Sequence, residues 1–239
     1  MLFLSCLTGL RKTIKSIYRE INFRNLMPVL TVAGMGPDSN IFLVTGEDPF
    51  VVDTGTGSNH VKILAKLRSL SKGKQPNRII LTHRHYDHVG GAARLSKELD
   101  AEVYIHELDA NVVETADLRG TAAHFYTSKM EPVKTNHLKG GEVFETGDHR
   151  FEVVHTPGHT AGGICLFDRG SGDLICGDTV FVGGVGRWDL ESGNHKELVA
   201  SVKNLISLSP KAIYPGHGEI KSAGAAVVVK DALTYLGEF

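Results

Sequence analysis

Thr82-His83-Arg84-His85-Tyr86-Asp87-His88 places three imidazoles and one carboxylate within six residues, directly after the apolar run 79–81. In an extended or gently turning segment alternate side chains share a side, so His83 and His85 project together. Asp87 and His88 reach a neighbouring point as the chain bends into a helix at Gly90-Gly91. One segment thus offers two ligands to one metal ion and two to another. Imidazole and carboxylate suit borderline-soft ions such as zinc. Read alone, the cluster is also compatible with a polar surface turn. The hydrophobic strand that leads into it argues for a built site.

Three later segments repeat the same design. Thr156-Pro157-Gly158-His159-Thr160, Gly177-Asp178-Thr179 and Tyr214-Pro215-Gly216-His217-Gly218 each follow an apolar, strand-like run and each present one ligand-type side chain at a turn. In layered α/β folds such strand-end loops gather at one edge of the sheet and build the site.

Around these segments the pattern is mixed. Residues 29–33, 41–44, 50–52, 79–81, 102–105, 151–155, 163–167, 173–176 and 212–214 read as short strands bounded by turn residues. Residues 60–71, 90–99, 107–118, 196–208 and 223–236 read as helices. Residues 119–141 have no clear period and read as a long loop, either a lid over the site or an ordinary surface connection. Strands and helices alternate in both halves, which predicts α/β layers with both sheet faces covered.

The chain has 239 residues, 41% hydrophobic and 22% charged, enough for a real core and too apolar for a disordered chain. The net charge of −1 gives no overall pull toward nucleic acid. Residues 1–26 stand apart. They carry Arg11, Lys12, Lys15, Arg19 and Arg24 against Glu20, with Ile14, Ile17, Tyr18 and Ile21 at helical spacing. This basic amphipathic extension reads as a loosely held terminus or as a helix on an anionic membrane surface or partner. Residues 27–239 form the catalytic domain. The opening apolar run 1–10 is too short to span a bilayer and has no basic residue ahead of it, so no secretory signal is expected. Three cysteines without a C-x-x-C pair argue for a reducing, cytoplasmic setting. Cys165 and Cys176, in or at the end of apolar strands, read as core residues.

The seven ligand-type residues, in this order, resemble the metallo-β-lactamase superfamily from Met27 to the C-terminus. The motif H-x-H-x-D-H stands as His83, His85, Asp87 and His88, and the downstream His, Asp and His as His159, Asp178 and His217. The resemblance implies an α/β, four-layer αβ/βα sandwich: two mixed β-sheets face to face, flanked by helices. It implies that His83, His85 and His159 bind one ion, that Asp87, His88 and His217 bind a second, and that Asp178 bridges both. Asp87 and Asp178 are then the catalytic carboxylates. Asp53, in Val51-Val52-Asp53-Thr54-Gly55, matches the family's acidic residue near the site and is expected to orient a ligand imidazole. An Asp before Thr-Gly also forms turns. Two divalent ions are expected, zinc foremost, with iron or manganese as alternatives. Such ions lower the pKa of bound water toward roughly 7, which supplies hydroxide without a protein nucleophile.

Within the superfamily the wording is closest to glyoxalase II, the hydroxyacylglutathione hydrolases. The similar run is Gly177-Asp178-Thr179-Val180-Phe181, and Arg187 stands where that group has a basic, substrate-holding residue. The reading is a dinuclear metal-dependent hydrolase of a small-molecule thioester or ester. A thiolate leaves readily because its thiol has a pKa near about 8.5. Two features depart from that group: Asp189 stands in place of an aromatic, and the glutathione-binding C-terminal extension is not expected. Gly-Arg-x-Asp is instead similar to mononuclear iron persulfide dioxygenases, the alternative reading, and lactonase activity stays open.

Overall fold

The computed structural model describes residues 28–34 and 36–238, and the expected extension at 1–26 lies outside the described residues. Strands β1 (Val29–Ala33), β2 (Ile41–Val44), β3 (Phe50–Val52), β4 (Arg78–Ile80), β5 (Glu102–His106) and β6 (Asn136–Leu138) form one sheet in chain order. β1, β2 and β3 pair antiparallel, and β3 through β6 pair parallel. Strands β7 (Val143–Glu145), β8 (Arg150–His155), β9 (Ile164–Asp168) and β10 (Asp173–Gly177) lead to a short ribbon, β11 (Val180–Phe181) with β12 (Gly184–Val185), and then to β13 (Ala212–Pro215). The second sheet has the order β13-β10-β9-β8-β7, with only β10 and β13 parallel. Helices α1 (His60–Leu70), α2 (Tyr86–Val89), α3 (Ala92–Leu99), α4 (Glu107–Glu114), α5 (His195–Leu208) and α6 (Ala225–Tyr235) complete the chain.

The inner strands β2, β3, β4 and β9 are buried at nearly every position because both faces of both sheets are covered. Successive side chains on a strand point to opposite faces, so each strand feeds two cores. Ile41, Leu43, Val51 and Ile79 pack outward with Leu64 and Leu67 of α1 and Leu95 and Leu99 of α3. Their neighbours Phe42, Val44, Phe50, Val52 and Ile80 point inward and meet Phe151, Val153, Ile164, Leu166, Ile175 and Tyr214 from the second sheet. Cys165, Phe167, Leu174, Cys176 and Ile213 face the other way, against Leu198, Val202 and Leu205 of α5 and Val229 of α6. Three apolar cores between four layers define the αβ/βα sandwich. The two cysteines are core residues, and burial pushes the Cys165 thiol up to about 11.

The structure differs from the sequence reading in several places, among them the unread strands β7, β11 and β12. The ligand segment turns helical at Tyr86, ahead of Gly90, because His85 is the extended residue that opens α2. α4 ends at Glu114 rather than at residue 118. The stretch read as a loop over 119–141 contains a 3₁₀ turn, Ala123–Tyr126, and the parallel edge strand β6. The polar, exposed Asn136 and His137 hide that strand from a hydrophobicity pattern.

Candidate metal centre

Every ligand-type residue singled out in the sequence follows the C-terminal end of a strand. His83 and His85 follow β4, with Asp87 and His88 on α2; His159 follows β8, Asp178 follows β10 and His217 follows β13. The structure brings all seven together. His83, His85 and His159 form one group, Asp87, His88 and His217 another, and His83, His88 and Asp178 link them; within each group the donor atoms lie within 4.8 Å of one another. The Asp178 carboxylate lies 3.3 Å from His88 Nε2 and 3.6 Å from the Nε2 of both His159 and His217.

The imidazoles are held by their outward nitrogens. Asp53 ends β3 with φ +60°, a left-handed turn that aspartate tolerates, and its own N–H bonds to Ile80 O at 3.0 Å. Its carboxylate accepts from Thr82 N, Thr82 Oγ1 and His88 Nδ1, each at 2.8 Å. His159 Nδ1 lies 2.6 Å from the Arg187 carbonyl. A carboxylate and a carbonyl are acceptors only, so the Nδ1 of His88 and of His159 carries the proton. Thr82 Oγ1 spends its proton on Asp53 and accepts from His83 Nδ1 at 3.1 Å. All three rings therefore turn Nε2 into the site.

The cluster leaves buried donor atoms unpartnered: His83 Nε2 and Asp178 Oδ1 have no hydrogen-bond partner, and His85 Nδ1 sits 2.9 Å from His159 Nε2, close enough for both nitrogens to reach one cation. Gly216 leaves room for the cluster: a Cβ there would collide with the Asp178 carboxylate and with His88 Cε1. The donor set of imidazoles and carboxylates fits divalent metal ions.

The two groups differ electrostatically. Burial and the neighbouring imidazoles drive His83 well below its ordinary pKa and His85 to about 3, so both rings stay neutral. Burial alone would also lower His88, but the Asp178, Asp53 and Asp87 carboxylates outweigh it and raise His88 well above its ordinary value. His217 is raised too: its hydrogen bond to Asp87, 2.9 Å away, and the Asp178 charge overcome burial. Asp178 is held far below the usual carboxylate range, since His88 foremost outweighs its burial.

Arg187, read from the sequence as a substrate contact, has its exposed guanidinium engaged by both oxygens of Asp189 at 2.7 Å each. Its main-chain carbonyl does the positioning, on His159. The other histidines stay outside the cluster: His149 pairs with Asp168 at 2.8 Å, His106 stacks on His155 with centroids 4.0 Å apart, and His124 stacks on Phe125.

Sequence reasoning missed three contributors. Asp109, fully buried on α4, accepts from Arg84 N, Thr160 Oγ1 and Gly162 N, which ties the loop of His83 to the loop of His159. Arg84, between two ligand histidines, turns away and bonds Glu191 O at 2.6 Å. Tyr126 lines the cavity beside the donors. Burial, then the Asp87 charge, holds its phenol above its ordinary pKa, so it stays protonated.

The family model of the metallo-beta-lactamase superfamily matches residues 35–217, and the chain belongs to that superfamily. It is 31% identical over 196 residues to the probable metallo-hydrolase MJ0888 of Methanocaldococcus jannaschii, covering 80% of this chain and 93% of that one. It is 33% identical over 172 residues to a hydroxyacylglutathione hydrolase of Synechococcus sp., covering 72% of this chain and 60% of that one. Among solved structures, that of TTHA1623 in a di-iron-bound form matches with a TM-score of 0.68 at 38% identity, over 82% of this chain and 93% of that one. Among the described residues no helix is long and apolar enough to cross a membrane.

Proposed function

We propose that this chain is a dinuclear metal-dependent hydrolase of thioesters or related esters. The observation that carries the reading is the convergence of seven donors into two adjoining groups, with Asp178 within 3.6 Å of imidazole nitrogens from both, beside an open cavity. His83, His85 and His159 would hold one ion, Asp87, His88 and His217 the other, and Asp178 would bridge them. When bound, two divalent ions supply Lewis acidity and water of lowered pKa. The donors suit zinc, and the di-iron form of TTHA1623 makes iron an equal candidate.

The protein's own residues set the geometry around that chemistry. Asp53 and the Arg187 carbonyl fix two imidazoles, and Asp109 fixes the loops that carry them. In the reaction a water oxygen bonds to the acyl carbon, the carbon–sulfur bond breaks, and the sulfur leaves with the electron pair. One water proton ends on the thiolate, and the other leaves with the carboxylic acid that the water oxygen and acyl group form. Tyr126 holds a neutral O–H at the cavity, donated here to Asp87; an oxygen leaving group needs such a donor and a thiolate does not. The similarity to a hydroxyacylglutathione hydrolase and to the acyl-coenzyme A thioesterase MBLAC2 of Gallus gallus, 30% identical over 205 residues, supports the substrate class.

The test is metal analysis of the purified protein together with turnover of matched thioester and oxygen-ester substrates. Two ions per chain and thioester hydrolysis are expected. One ion per chain, or no turnover of either substrate, would overturn the reading. Tyr126→Phe is expected to lower kcat about tenfold on the oxygen ester and much less on the thioester.

A further inference from the structure

The cavity above the donors encloses about 540 Å³, within the range of small-molecule sites. Its walls outside the donor set are mainly apolar: Ala122, Phe125 and Tyr126 from the turn after α4, and Phe181 and Leu190 from the segments after β10. Phe125 is 63% exposed, and Leu118 and Tyr126 near it are 41% and 38% exposed. Large apolar side chains left open to solvent and gathered at one concave place mark a surface for an apolar ligand. The wall begins at the reaction centre itself, since the Phe181 ring lies 6.2 Å from that of His217. The one guanidinium on this wall, Arg187, is engaged by Asp189 and offers nothing to an anionic acyl group. A second cavity of about 480 Å³ opens at His85 itself and runs out to Arg119, His124 and Glu191, a polar exit for the other half of a substrate.

The geometry points to a substrate whose acyl half is an extended apolar chain, lying along Phe125, Phe181 and Leu190 with its carbonyl at the donor cluster. This rests on the hydrolytic reading above and names its substrate class: medium-chain acyl thioesters rather than small hydroxyacyl ones.

The metal-loaded full-length protein is assayed with acetyl, butanoyl, hexanoyl and octanoyl thioesters of one thiol. Each buried methylene adds to binding, so kcat/KM is expected to rise at least tenfold from acetyl to octanoyl. Phe125→Ala should cut the octanoyl-to-acetyl ratio about fivefold. Val227→Ser, at an equally open apolar position on α6, should leave the ratio unchanged. Titration calorimetry with acetate through octanoate reads the same subsite without turnover. Tighter binding of longer acids, weakened by Phe125→Ala, supports the subsite even if no thioester is hydrolysed; that pattern would sink the hydrolase reading alone. Thioester turnover that is flat or falling with chain length, or octanoate binding no tighter than acetate, would overturn the subsite and leave hydrolysis standing.

Discussion

Asp178 is the residue on which both donor groups close, with three imidazole nitrogens within 3.6 Å of its carboxylate. Asp178→Ala is therefore expected to lose both ions and at least about a thousandfold in turnover, while circular dichroism shows the fold retained; near-normal turnover would contradict the shared-carboxylate assignment. The opposite pKa shifts of the two groups make a second prediction. A proton and a cation compete for the same lone pair, so a ring with a raised pKa gives up its metal at higher pH. His88 and His217 are raised, whereas His83 and His85 are lowered. Stepwise acidification from neutral pH should release the ion of the Asp87–His88–His217 group first, in two separable steps by metal analysis of the dialysed protein. Release of both in one step would count against it. At this scale the donors were legible because histidines and aspartates stand in the segments that directly follow apolar, strand-like runs. Asp109 and Arg84 were not: an acid in the first turn of a helix and an arginine between histidines are ordinary surface residues until three-dimensional packing buries them.

Helix α4 acts as a clamp through Asp109. Its N-terminus is capped by His106 Nδ1, which accepts from Leu108 N, and the third residue of the helix is the carboxylate that takes three donors from two ligand loops. Asp109→Ala leaves those buried donors without their acceptor and the 5%-exposed Arg84 guanidinium without the carboxylate charge 3.9 Å from it. A loss of about 3–5 kcal/mol in urea unfolding is expected, with part of it recovered by Asp109→Asn. No change in midpoint would show that the clamp is idle. Element boundaries were legible where apolar runs end at turn residues, so that β1, β2 and β3 fall as read. They were illegible for β6 and β7, edge strands with exposed positions, and for the four-residue α2, whose helical turn is built from Tyr86, Asp87 and His88 with no apolar period.

Across the whole molecule, the central core between the sheets is formed by residues from both halves of the chain, as is the donor cluster at its edge. Chelation should therefore lower the thermal midpoint by several degrees, since ligands that bind only the folded state stabilise it by mass action; an unchanged midpoint in excess chelator would show that the ions add nothing to the fold. The layered architecture was legible from strand and helix alternation, but which sheet each strand joins was not, because β4 and β13 are similar apolar runs. His83, His85, Asp87 and His88 belong to the first sheet's loops, and His159, Asp178 and His217 to the second's. A bound pair of cations would thus be a rivet through two leaves whose only covalent link is the stretch between β6 and β7, residues 139–142, among the described residues. A molecule nicked there has two fragments, each with an incomplete cage, and the grip of one on the other should slacken when the rivet is withdrawn.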